Sequence, residues 1–239
     1  MSMATADALF DRDGWWDPNC REFASLRAVS AFRLQLLKQW LGDTWRDRIV
    51  VDLGCGGGLL AVPLARSGAQ VIGLDIAELA LRAARKAADS EAQSDTRFLP
   101  IVAEMHASPV RGGQADVVLL ADVLEHVEDP GAAVAEAARL MRPGGSLFVN
   151  TIDRSLRSRL LAIWLGEGLG FVPKGTHLWS MFIRPSELDA MASRAGLRRV
   201  QLTGEAPNLL ATVRNRAVSL RESRSTAVGY AALFVKEAS

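Results

Sequence analysis

The residues best placed to do chemistry form one short run, Asp52-Leu53-Gly54-Cys55-Gly56-Gly57-Gly58, with a single acid, Asp75, downstream. Glycine lacks a Cβ, so it turns tightly and lets a ligand approach the backbone. An acid ending the next strand, about 20 residues on, is placed to accept hydrogen bonds from a ribose diol. Together these features point to a nucleoside ligand. A ligand-free turn would not need so many glycines, each of which costs conformational entropy. The dinucleotide pattern G-x-G-x-x-G/A is incomplete: Gly54 and Gly56 fit, but Leu59 stands at the last position. That tells against a nicotinamide-dependent oxidoreductase.

These residues need a scaffold that brings strand ends together. Residues 49–53, 70–75, 97–102, 115–121 and 146–151 are short β-rich or apolar runs. Residues 59–66, 78–88 and 131–141 between them are rich in helix formers. Such alternation predicts a parallel sheet covered on both faces by helices, a doubly wound α/β fold. Residues 185–195 read as a further helix, and 198–203 and 228–235 as two late strands forming an antiparallel hairpin. The expected sheet has seven strands. Residues 1–46 are expected as an N-terminal helical cap, and 47–239 as the main domain with an insertion at about 154–182. Residues 205–226 lack periodicity and read as a loop.

Composition narrows the class. With 28 Lys and Arg against 27 Asp and Glu, the net charge is +1, a poor match for a dedicated nucleic-acid binder. Two cysteines imply no disulfide framework. The N-terminus lacks a secretory pattern, and no run reaches the roughly 18–20 apolar residues of a membrane span. A cytoplasmic protein is expected, with room for peripheral contact on the inner face of a membrane.

The run of glycines after an acid resembles the S-adenosylmethionine (SAM) loop of class I methyltransferases. The chain further resembles the ubiquinone-biosynthesis O-methyltransferases. The resemblance rests on Trp15-Trp16-Asp17-Pro18, on the glycine loop, and on Leu124-Glu125-His126-Val127 followed by Asp129-Pro130. It rests also on Val172-Pro173-Lys174-Gly175-Thr176-His177 and Phe182-Ile183-Arg184-Pro185-Ser186-Glu187-Leu188. It spans residues 10–204. It implies that Arg33, Gly54, Asp75 and Ala121 contact SAM, with Asp75 on the ribose and Arg33 near the methionine end. Asp52, Cys55, Gly56 and Ile76 complete the candidate donor-binding set. The implied reaction is methylation of a phenolic hydroxyl on a polyprenyl catechol or hydroxyphenol. A small soluble phenol as acceptor, and a catalytically silent SAM-binding module, are the alternatives.

The same resemblance implies a divalent metal, Mg, Mn or Zn, on Asp122, Glu125 and His126. Residues at i, i+3 and i+4 share a helix face, and a cation there would acidify a coordinated phenol. Asp122 stands where the family has Glu. The same acids also fit a helix N-terminal capping box. His126, Lys174 and His177 are the candidates for acid–base work on the acceptor. Arg154, Arg157 and Arg159 precede an apolar stretch containing Trp164, so residues 154–172 are a candidate contact with an anionic membrane surface. Oligomeric state has no signature in the sequence.

Overall fold

A computed structural model describes residues 10–90, 96–160 and 178–237. Helix α1 (Ala24–Leu41) precedes strand β1 (Ile49–Leu53). Then come α2 (Ala61–Arg66), β2 (Gln70–Asp75), α3 (Glu78–Asp89) and β3 (Phe98–Val102). They are followed by β4 (Ala115–Ala121), α4 (Pro130–Leu140) and β5 (Met141–Ile152). The chain closes with α5 (Pro185–Arg194), β6 (Leu197–Pro207), α6 (Leu209–Asn215), β7 (Leu220–Ser223) and β8 (Gly229–Lys236).

One sheet runs in the order β3-β2-β1-β4-β5-β8-β6-β7. The first five of these are parallel to one another. Strand β8 is antiparallel to both β5 and β6, and β7 to β6. Alternate residues of a strand face opposite sides, so the apolar run of β4 feeds two cores. Val118 and Leu120 join Ala133, Val134, Leu188 and Ala192 on one face. Val117 and Leu119 join Leu36, Leu37, Leu64 and Ala84 on the other. The doubly wound class expected from the sequence is therefore observed.

Three details differ from expectation. The sheet has eight strands among the described residues, because residues 205–226 are not a plain loop: they finish β6 and form α6 and β7. The late strands β6 and β8 do pair antiparallel, but 208–228 intervene, so they are not a tight hairpin. Strand β5 begins at Met141, ahead of the Pro143-Gly144-Gly145 turn. Its register with β4 jumps from Ala115↔Met141 to Val117↔Ser146. A Cβ on Gly145 would sit 2.8 Å from the Ala115 carbonyl oxygen, so the irregularity needs glycine there.

The order of strands reverses at β1, which pairs with β2 on one side and β4 on the other. Open α/β sheets bind ligands outside the carboxyl ends of the strands at that switch point. Both the glycine loop after β1 and Asp122 after β4 lie there.

Candidate active site

The backbone leaving β1 is held against β2. Gly54 N–H and Cys55 N–H both donate to the Leu74 carbonyl, at 2.8 and 2.9 Å. Gly54, Gly56 and Gly58 have φ of +77°, +50° and +74°, a region that L side chains rarely enter. Asp75 fastens the loop from below: Oδ2 accepts from Gly56 N–H at 2.7 Å, and Oδ1 from Ala77 N–H at 2.8 Å. Each oxygen of an ionised carboxylate can accept more than one hydrogen bond. Asp75 can thus hold the loop and still receive a diol.

Asp52, one residue before β1 ends, is only 2% exposed. Burial, and then the nearby Asp75, push its carboxyl up to about 7. The Cys55 thiol is pushed upward by burial, then by Asp52 and Asp75, which suits a packing role rather than a nucleophile. Ile76 is 48% exposed just past Asp75, and Ala121 is half-buried at the end of β4.

The N-terminal segment straps across this loop. A Cβ on Gly57 would lie 2.3 Å from Trp15 Cγ, so the indole rests directly on the glycine. Trp16 Nε1 donates to the Gly57 carbonyl at 2.7 Å, and the Arg66 guanidinium sits over the Trp16 ring at 5.7 Å. Asp11 accepts from Leu79 N–H at 2.6 Å, at the start of α3. Phe10 lies edge-on to His126, with centroids 6.2 Å apart. Trp15 is buried, stacked on Phe23 at 4.4 Å, and touches the loop as well.

Arg33, from α1, is buried beside the end of β4. Its Nη1 donates to Asp122. Nε and Nη2 donate to Glu205 of β6, at 3.2 and 2.8 Å. Burial is the strongest single influence on the guanidinium and pulls its pKa down. Asp122 and then Glu205 outweigh it and hold the group above its ordinary value. Glu205 itself, 2% exposed, is pushed up by burial and drawn back by Arg33. Nothing in the sequence flagged Glu205, which lies just past the stretch covered by the resemblance.

The expected metal site does not assemble. Residues 124–126 are a single 3-10 turn, not α-helix, so the i, i+3, i+4 convergence is lost. Asp122 has φ +52° and gives one oxygen to Arg33 and the other to Asn150 Nδ2 at 3.0 Å. Glu125 is buried and accepts from Thr151 Oγ1 at 2.7 Å. No group of three His, Cys, Asp or Glu able to hold a metal occurs among the described residues. The capping-box alternative fails too: the helix that follows, α4, begins at Pro130 and is capped by Asp129, whose Oδ1 accepts from Ala132 N–H at 2.9 Å. His126 is half-buried on that turn. Lys174 and His177 lie outside the described residues, as does most of the candidate membrane segment.

Of that segment, Arg154 is half-buried and paired with Glu187, so it is not a free headgroup cation. Arg157 and Arg159 are exposed beside Leu156 and Leu160, which are 76% and 54% exposed. No helix among the described residues is long and apolar enough to cross a membrane. A cavity of about 620 Å³ opens beyond β5, lined by Asp153, Arg154, Leu156, Trp179, Arg184 and Pro185 among others.

Residues 51–149 match the family described as Methyltransferase domain. The "Ubiquinone biosynthesis O-methyltransferase" of Thiobacillus denitrificans is 42% identical, over 83% of this chain and 84% of the relative. That of Hydrogenovibrio crunogenus is 41% identical, over 77% and 74%. Among solved structures, a SAM-dependent methyltransferase of Thermotoga maritima, titled a possible histamine N-methyltransferase, superposes with TM-score 0.70 at 21% identity. It covers 97% of this chain and all of the other. Magnesium protoporphyrin IX methyltransferase of Synechocystis, solved with bound S-adenosylhomocysteine, gives TM-score 0.66 at 18% identity, over 98% and 94%. At those identities the structures speak for the fold: a class I SAM methyltransferase. The sequence relatives say more, and on their identity and coverage this chain belongs to the ubiquinone biosynthesis O-methyltransferase family.

Proposed function

We propose that the chain methylates a phenolic hydroxyl of a polyprenyl catechol or hydroxyphenol of quinone biosynthesis, with SAM as donor. The observation that carries this reading is the glycine loop clamped by Asp75 at the switch point of the sheet. Asp75 would take the ribose hydroxyls, and Ile76 and Ala121 would flank the nucleoside. Arg33 would meet the carboxylate of the methionine portion. When bound, the donor supplies an electrophilic methyl on a cationic sulfur. Asp122, Glu205 and Glu125 surround Arg33 at this edge, an acidic setting that favours a sulfonium over the neutral product.

The acceptor oxygen would take the methyl in line, forming an O–C bond as the C–S pair leaves on sulfur. Alignment is the main contribution asked of the protein. A phenol titrates near 10 by analogy with tyrosine, so its proton must go to a base. His126, on the turn after β4, is the described candidate for that work; Lys174 and His177 are the other candidates. No step is routed through a metal, since Asp122, Glu125 and His126 do not gather as a ligand set.

A prenylated acceptor resides in a bilayer. The exposed Leu156 and Leu160 beside Arg157 and Arg159 would serve an interfacial contact of the 154–172 segment on the inner face of a membrane. A small soluble phenol is the second reading. Methyl transfer to short-chain and long-chain catechols, with and without anionic liposomes, tests both. Transfer to none of them, with SAM bound, would identify a silent module.

A further inference from the structure

A guanidinium carries five N–H donors in one plane, and those of Arg33 are unevenly engaged. Nε stands 3.2 Å from both oxygens of Glu205, and Nη2 stands 2.8 Å from Oε2. One edge of the group is thereby locked on a single carboxylate. Nη1 reaches Asp122. One N–H on each terminal nitrogen remains, and no hydrogen bond to another acceptor among the described residues takes it up. These two donors lie beside the carboxyl end of β4.

Plain packing does not call for this arrangement. Arg33 and Asp122 alone would form a neutral pair. With Glu205 almost wholly buried against Arg33 and Asp122 29% exposed on its other side, the cluster carries one surplus negative charge at its solvent-facing side. A zwitterion answers both features. Its carboxylate meets the two spare N–H groups in the forked geometry that arginine favours. Its cationic centre faces the surplus negative charge.

We propose that Glu205 is a positioning residue for the donor's amino-acid portion: it locks the Nε–Nη2 edge of Arg33, so that the remaining donors receive an α-carboxylate. The proposal rests on reading the crevice as a SAM site. Without Glu205 the guanidinium is free to turn its paired edge onto Asp122 and close on itself.

The test is calorimetric titration of the parent protein, Glu205→Gln and Glu205→Asp with two ligands. S-adenosylhomocysteine carries the amino-acid portion; 5′-methylthioadenosine keeps the nucleoside and sulfur without it. Glu205→Gln is expected to weaken S-adenosylhomocysteine by at least about tenfold, or ~1.4 kcal/mol, while methylthioadenosine binds as to the parent. Glu205→Asp, one methylene short, is expected to lose less, again only for the first ligand. Unchanged binding of S-adenosylhomocysteine to Glu205→Gln overturns the proposal. So does equal weakening of both ligands, the mark of a merely structural residue. If Glu205→Gln does not fold, the same comparison in Glu205→Asp decides. A parent protein that binds neither ligand overturns the donor reading itself, a result distinct from either of the others.

Discussion

Asp75 receives two backbone N–H groups, so it serves the loop as well as any ligand. Asp75→Ala should weaken SAM binding by ~1.5–3 kcal/mol, the scale of hydrogen bonds to a charged group. It should also lower the melting temperature, because Gly56 N–H and Ala77 N–H lose their acceptor. Calorimetry and a thermal melt on the same variant read the two effects. Asp52 makes a prediction in pH. Its carboxyl titrates near 7 in the fold, raised by burial and by Asp75, and in the ordinary carboxylate range once unfolded. Between those values the folded chain holds a proton that the unfolded chain has released. Stability from this group is therefore full in acid and declines as pH rises through about 7. Asp52→Asn should flatten that part of the melting-temperature profile. A profile as steep as the parent's would place the titration elsewhere.

At the level of elements, what the sequence disclosed followed local signals. Strands β1 to β4 announced themselves as β-rich runs, and the glycine loop with Asp75 by residue type and spacing. Residues 124–126 misled because the i, i+3, i+4 pattern presupposes a helix. The chain instead enters a left-handed conformation at Asp122 and starts its helix at Asp129-Pro130, where a side-chain cap and a proline supply the true start signal. Helix α6 and strand β7 were hidden for another reason. Of α6 only Thr212 is buried, and β7 has no buried residue, so neither shows the periodicity of a core-facing element. Pairing with β6 places β7 at the edge of the sheet, and that is tertiary information. The strap over the loop carries its own prediction. Gly57→Ala would press a methyl into Trp15 and should cost ~1–3 kcal/mol of stability by overpacking. Trp16→Phe, which removes the donor to the Gly57 carbonyl and leaves a smaller ring under Arg66, should cost about 1–2 kcal/mol. Chemical denaturation of both separates steric from polar contributions.

For the molecule as a whole, the near-neutral charge leaves any association with membranes to a local patch. Reversing Arg157 and Arg159 to Glu should reduce sedimentation with anionic liposomes and spare it with zwitterionic ones. Arg154 is excluded from that test because its pairing with Glu187 is structural. No liposome binding by the parent protein would remove the membrane contact and leave a soluble phenol as the acceptor.

Arg33 and Glu205 are 172 positions apart in the chain. During synthesis the ribosome releases α1, the glycine loop and Asp75 long before β6 emerges. The nascent polypeptide can therefore build the sugar-binding half of the crevice while its lone arginine has only Asp122 to grasp. Competence for the complete ligand arrives late, with the closing strands, so fragments that stop short of residue 205 should be poor traps for a scarce metabolite.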